Sequence, residues 1–253
     1  MSDVNQLPPS DDARWKRRLP WVLGGLCFLF PVLLYLPAVG LPLMSESIVE
    51  QALARNNPFL FFLRSAYLEE GSGVYYRFGT RLIDHLVQRV NDGVWFQNLW
   101  QIGVHGLCAA LLYLLLLQQS SFRVWASFMA ALVFAFHPSI TAAVVYPSVR
   151  WNTSVALTFL LLANVYQWTF REEAEKPNKT LYLLLPFGVF FMATIAELGA
   201  LLMGVTGLWL LMMCVRRRNV KWAAWCLAPL APVPMAYLIV RKIAIGNISE
   251  PYV

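Results

Sequence analysis

Residues 181–215 are almost uninterrupted hydrocarbon, with one charged side chain, Glu197, near the middle. As a single helix at ~1.5 Å per residue this run would reach ~52 Å, against a bilayer core of ~30 Å. One straight span would strand apolar surface in water and bury a carboxylate in lipid. A hairpin that lifts Glu197 to one membrane face removes both problems. The same length rule, ~20 apolar residues per crossing, picks out further runs at 19–43, 99–117, 124–146, 151–170 and 222–240. With 181–215 divided into 181–195 and 198–215, the expected fold is all-α: a polytopic membrane protein of about seven transmembrane helices. Composition agrees. The chain is 58% hydrophobic and only 13% charged, whereas soluble domains carry roughly 25% charged residues.

Charge placement orients the spans. Arg14, Lys16, Arg17 and Arg18 precede the first run. That run is longer than a signal-peptide core of ~7–15 residues and lacks a small-x-small cleavage site, so it is expected to stay as a span. With the amino terminus inside, Arg123, Arg171, Lys176, Lys179, Arg216, Arg217, Arg218 and Lys221 join them on the cytoplasmic side. Residues 1–18 then form a cytoplasmic leader and 19–253 a single transmembrane domain, with an extracytoplasmic loop at 44–98. The expected location is the bacterial inner (plasma) membrane. The net charge of +6 is read as a topology signal and as complement to anionic lipid head groups or phosphates, not to nucleic acid.

The outer loop carries patterned segments. "NPFLFFLRSAYL" (57–68) and "RFGTRLIDHLVQRVNDGVWF" (77–96) alternate bulky apolar and charged residues at roughly helical spacing, as helices lying in the membrane interface do. Leu82, Leu86 and Val90 fall along one face, with Arg81, Asp84, His85 and Arg89 around the rest. A small soluble cap built from the same helices is the alternative. The four cysteines, Cys27, Cys108, Cys214 and Cys226, lie in apolar runs without metal-ligand spacing and read as buried spectators. "FHPSITAAVVYPSVRWN" (136–152) is the densest polar stretch in the hydrocarbon, bringing His137, Pro138, Pro147, Arg150 and Asn152 together.

Four stretches carry a resemblance. "VYYRFGTRLIDHLVQRV…WFQNLWQIGVHGLCAALLYLLL", "FHPSITAAVVYPSVRWNTSVALTFLLLANVY", "ATIAELGALL" and "AYLIVRKIAIG" resemble, in order, motifs of multispan GT-C-fold glycosyltransferases that use lipid-linked sugars, including the tetratricopeptide-linked protein O-mannosyltransferase group. Together they cover most of residues 44–246. The resemblance implies a catalytic acid just after the first span, a position held by Glu46, with Ser45 in place of a paired aspartate. Tyr76 and Arg77 match a tyrosine–arginine pair, though Phe78 replaces its proline. His105 is kept, with Gln101 for the family's asparagine. His137, Pro138 and Arg150 match, and Glu197 matches an acidic residue whose preceding lysine is Ala196 here. Ala142 stands where the family carries a further acid. The family's chains continue for several more spans, so the resemblance implies an amino-terminal half, a shortened relative, or a partner chain supplying the remaining spans.

These residues suit transfer from a polyprenyl-phosphate sugar. Glu46 and Glu197 are the catalytic candidates, with Glu46 as the base for an acceptor hydroxyl. Arg77, Arg150 and Arg241 are candidates for the phosphate, because a guanidinium offers two parallel hydrogen bonds and stays charged. Tyr76, His105 and His137 complete the substrate-binding set. No cofactor is certain, and the acidic residues leave room for a divalent cation. Expected partners are a lipid-linked sugar donor, membrane lipids and a protein or glycan acceptor. Structural readings stand beside these: a hydrogen-bonded helix end at His137, a packed helix–helix contact at His105, an interfacial anchor at Arg150 and Trp151, a solvated turn at Glu197. A non-catalytic subunit binding lipid-linked sugar or a partner protein is the alternative function, favoured by Ala142. A small-solute transporter ranks third, for want of paired intramembrane charges and a duplicated half.

Overall fold

The computed structural model describes residues 11–42, 78–118, 123–138, 144, 151–169, 179–195, 197–217 and 228–245. Among these the chain is helical, with no strand. The α-helices are α1 (Asp11–Tyr35), α2 (Phe78–Val90), α3 (Val94–Leu117), α4 (Val124–Phe136), α5 (Trp151–Thr169), α6 (Lys179–Ile195), α7 (Glu197–Arg217) and α8 (Val233–Ile245), and a 3-10 helix at Leu36–Gly40 extends α1. Two segments, Arg18–Gly40 and Val94–Leu117, are long and apolar enough to cross a membrane, and Val124–Phe136, Leu185–Ile195 and Gly199–Leu208 are shorter apolar helices.

Helix α3 is the axis of one half of the bundle. It packs on α1, α4 and α5, and α6 gathers α2, α5, α7 and α8 in the other half. The two halves meet through α5. Leu23 and Cys27 of α1, Tyr113 of α3, and Phe128 and Ala131 of α4 form one buried cluster. Val104 and Cys108 of α3 meet Leu160 of α5 in a second, and Val155 of α5 meets Met192 and Ile195 of α6 in a third. The α1–α3 contact is close because Gly106 has no side chain: a Cβ there would lie 2.8 Å from the Phe28 carbonyl oxygen and 2.9 Å from Val32 Cγ2. Small residues at such crossings let helix backbones approach. Outward faces are apolar too, with Trp21, Leu33, Trp125, Val133, Leu201 and Met212 all exposed. Lipid tails, not water, are the solvent that such a surface suits. Cys27 and Cys108 are free and buried, as their apolar setting suggests.

Helix boundaries follow proline. The run expected at 124–146 is interrupted after Phe136, and beyond the break Pro138 and Val144 are again helical among the described residues. Pro138 has no N–H to give back to Phe134 and disfavours helical backbone at the residue before it. His137 is accordingly extended, at φ −65° and ψ 127°. Of the run expected at 222–240, residues 228–240 are described. Pro229 and Pro232 hold residues 228–232 in turns, and α8 starts at Val233 with Pro234 in its first turn, where a missing N–H costs nothing. The helix then runs to Ile245, so Arg241 lies inside α8.

The run 181–215 divides as the length argument requires, between Ile195 and Glu197. Helices α6 and α7 then pack on each other. At the fold Gly199 meets backbone: an added Cβ would overlap the Met192 carbonyl. Gly199→Ala is expected to lower the thermal unfolding midpoint of protein in nanodiscs, costing more than ~1 kcal/mol because the contact is with main chain that cannot yield. Gly25→Ala, where nothing lies within 4 Å of the added carbon, is the control and should leave the midpoint unchanged or raise it.

Candidate functional site: the polar end of the bundle

Among the described residues, most buried polar side chains lie at one end of the bundle. Gln97, Gln101 and His105 are spaced four residues apart, so they fall in a line on α3, and all three are buried beside Asn98. Each reaches a different neighbour. The Asn98 side-chain amide donates to the carbonyls of Val39 at 3.1 Å and Leu41 at 3.0 Å, with Ala38 at 3.4 Å. Gln101 Nε2 donates to the Thr153 hydroxyl at the start of α5. His105 Nε2 lies 2.9 Å from the carbonyl oxygen of Ala135 in the last turn of α4, so that nitrogen carries the proton. The hydroxyl of Tyr35 donates to the same oxygen at 3.4 Å. The imidazole is packed against the rings of Tyr35 and Phe134, with centroids 5.6 and 5.7 Å away.

These contacts share a cause. The last carbonyls of a helix have no partner within it, and in an apolar medium each unmet carbonyl costs several kcal/mol. Pro138 stops α4 and leaves Ala135 exposed to that cost; His105 and Tyr35 meet it from two other helices. Helix α2 does the same for α6, where the Thr80 hydroxyl donates to the carbonyl of Ile195. Gly79 permits that approach, since a Cβ would stand 2.9 Å from Ile195 Cγ1 and Thr194 Oγ1.

Helix α2 sits with its polar side inward. Thr80, Asp84 (7% exposed) and Val87 are buried, whereas Leu86 is 57% and Val90 75% exposed. The Leu82–Leu86–Val90 line is therefore largely its outer face. A helix at a lipid interface, with its polar face on protein and its apolar face on lipid, has this arrangement. Between α2 and the first turns of α3 and α5 lies a narrow cleft. Among the described residues it is lined by Ile83, Asp84, Val87 and Gln88 of α2, Gln97, Trp100 and Gln101 of α3, and Ser154 of α5. Neither Nε2 nor Oε1 of Gln88, both sealed from solvent, has a partner among the described residues.

The sequence-derived candidates divide accordingly. Glu46, Tyr76, Arg77 and Arg150 lie outside the described residues, as does Ala142. Glu197 is the first residue of α7, next to the end of α6. His137 caps α4, its backbone N–H 3.4 Å from the Phe134 carbonyl. His105 is fully buried and braces a helix end, which is the packing role and not contact with solvent or substrate. Arg241 is half-buried on α8, with an Nε that has no partner among the described residues. Tyr237, one turn earlier, packs against Ala193 of α6 and Phe78 of α2, so Arg241 is at the same polar end. Asp84, Gln88 and Gln97 were not among the candidates. Their signal was present as polar residues at four-residue intervals, Thr80–Asp84–Gln88 and Gln97–Gln101–His105. Among the described residues no three His, Cys, Asp or Glu side chains are grouped to hold a metal ion.

No protein-family model, curated protein or solved structure matches the chain.

The shared acceptor at Ala135 gives a measurable coupling. His105→Leu is expected to cost ~1–3 kcal/mol, read by unfolding in nanodiscs, and Tyr35→Phe less, because each leaves the other donor in place. The double variant should lose more than the sum. Simple additivity would mean that the two donors do not serve one oxygen.

Proposed function

We propose that this chain is a seven-span membrane glycosyltransferase of GT-C type, with its amino terminus in the cytoplasm of a bacterial cell. It transfers a sugar from a polyprenyl-phosphate donor to an acceptor on the outer face. The observation that carries the reading is the gathering of helix ends. Segment 36–40 and helices α4 and α6 end, and α3, α5 and α7 begin, at the one end joined by Asn98, Gln101, His105 and Thr80. In the sequence Glu46 follows the first of these ends, Arg77 directly precedes α2, Arg150 directly precedes α5, and Glu197 opens α7. In sequence, acid and guanidinium are thus neighbours of the helix ends that meet there, and Arg241 of α8 lies at that end. A second support is the opposite end. There α3 and α5 are tied by Gln118 to Asn164 at 2.8 Å and by Asn164 to the Leu111 carbonyl at 3.0 Å. Arg123 precedes α4 and Lys179 opens α6, while Arg216 and Arg217 close α7, as cytoplasmic basic residues should.

In the transfer, the acceptor hydroxyl oxygen attacks the anomeric carbon. The bond from that carbon to the phosphate oxygen breaks, and the hydroxyl proton passes to the Glu46 carboxylate. Polyprenyl phosphate leaves, its charge held by Arg77, Arg150 and Arg241. Glu197 supplies a second carboxylate to orient the acceptor or to help hold a divalent cation. Apolar outer faces, such as those of α7 and α8, accept the prenyl chain.

The second reading, a non-catalytic subunit that binds lipid-linked sugar or a partner chain, rests on Ala142. Glu46→Gln separates the two. The transferase should lose at least ~100-fold in sugar transfer, within the usual weight of a general base, at unchanged expression. Unchanged transfer in membranes carrying the variant would leave only the subunit reading.

A further inference from the structure

We infer that residues 228–232, together with the outer side of α8, form a docking surface for a transmembrane helix of another polypeptide. That helix presents an uncharged hydrogen-bond donor, a hydroxyl, amide or indole N–H, at mid-depth. This rests on the placement of the bundle in a bilayer and not on sugar transfer.

Depth is the first observation. Leu230 lines a small cavity with Leu162, Ala163, Leu185, Val189 and Thr206. Those neighbours lie towards the middles of α5, α6 and α7, away from both ends of the bundle. Residues 228–232 are nevertheless turns and not helix. Helix α8 begins only at Val233, and its 13 residues reach ~20 Å of a ~30 Å hydrocarbon core. Non-helical backbone therefore sits at mid-depth.

Its carbonyls are the second. In a helix each carbonyl accepts from the N–H four residues on. Pro232 and Pro234 have no N–H to give to Ala228 and Leu230. The Val233 N–H turns back to the Leu230 carbonyl at 3.1 Å, and the Ala236 N–H serves that of Pro232 at 2.9 Å. Among the described residues no backbone N–H reaches the carbonyls of Ala228, Pro229 or Ala231. Ala228, Ala231 and Pro232 are exposed, so the bundle does not enclose the segment.

The third is what can cover it. Irregular backbone at this depth persists only inside protein or against a water-filled cavity. The cavity beside Leu230 is hydrocarbon apart from Tyr166 and Thr206, and the Thr206 hydroxyl donates to the Leu202 carbonyl at 2.7 Å. A water needs two to four polar partners, and an apolar void stays dry. Lipid tails carry no donor at all. Protein remains, and α8 offers it a seat. Tyr237 and Val240 hold α8 to α6, while Met235, Ile239 and Ile243, four residues apart, are exposed in one line. A helix laid along that line would bring its own middle onto the turns. Among the described residues the outer face of α7 at this depth is Leu201, Val205 and Leu208. A second copy would bring hydrocarbon there and no donor, so the occupant is a different chain.

The test is a photo-cross-link in native membranes. Ala231→benzoylphenylalanine is expected to give one discrete protein adduct, whereas Val133→benzoylphenylalanine, on the outer side of α4, gives lipid adducts only. Sequencing the linked peptide should place it in a transmembrane helix of another chain, with Ser, Thr, Asn, Gln or Trp within one turn of the link. Replacing that residue by leucine should cut the adduct ~10-fold or more. Pro232→Ala returns an N–H to the Ala228 carbonyl and should lower the adduct by a similar factor at equal expression. Pro234→Ala, which returns one to the Leu230 carbonyl, repeats the test should the first variant fail to accumulate. Lipid adducts alone at position 231 would overturn the proposal, as would protein adducts at both positions. So would an adduct with a second copy, read from mixed heavy and light chains, a partner helix with no donor near the link, or full adduct yield in the proline variants. None of these outcomes bears on Glu46→Gln, whose effect on sugar transfer is read separately.

Discussion

A helix that stops in apolar surroundings must hand its last carbonyls to someone else. That requirement organises this molecule. Water is not at hand to meet them, and an unmet carbonyl costs more than most packing contacts return. The chain stops early at Gly40, Phe136 and Ile195, and at each place a side chain from another helix arrives: Asn98, His105 with Tyr35, and Thr80. Helix α3 supplies two of these donors, and this explains why a helix otherwise rich in leucine carries amides and a histidine along one line. The polarity of that line is structural first. Any chemistry at this end is built around donors already committed to holding it together.

The same requirement explains why the His137–Pro138 pair needs a histidine elsewhere. Proline breaks α4; His105, thirty residues earlier in the chain, repairs the break. The two histidines serve neighbouring carbonyls, His105 that of Ala135 and the His137 N–H that of Phe134, and only the first is buried.

Much of the fold was legible in the sequence because length and proline act locally. The division at Glu197 followed from the reach of a helix against bilayer thickness, while the break after Phe136 was foreshadowed only by the helix-end reading of His137 inside the run 124–146. What was not legible depended on partners. Nothing in residues 228–240 alone says that a helix starts at Val233, since prolines at 229, 232 and 234 are each tolerable in some first turn. The apolar line of α2, by contrast, was legible: Leu82, Leu86 and Val90 trace one face, and Leu86 and Val90 lie outward while Thr80 and Asp84 are buried, as an interfacial helix requires. Of the candidate site, the helix-end residues were legible by type, as a histidine and a carboxylate set in hydrocarbon stand out. Gln88 and Gln97 were not, since a glutamine reads as surface until two helices are seen to enclose it.

The amide of Asn98 has a consequence for how this protein is made. Leu41, whose carbonyl it serves, is synthesised fifty-seven residues ahead of it. During translation the first segment therefore emerges with its end unsealed, and the ribosome must deliver the entire intervening stretch before the seal exists. Until then the open carbonyls have to stay among head groups or inside the insertion machinery. The order of biogenesis is thus written into a side chain that belongs to the later segment.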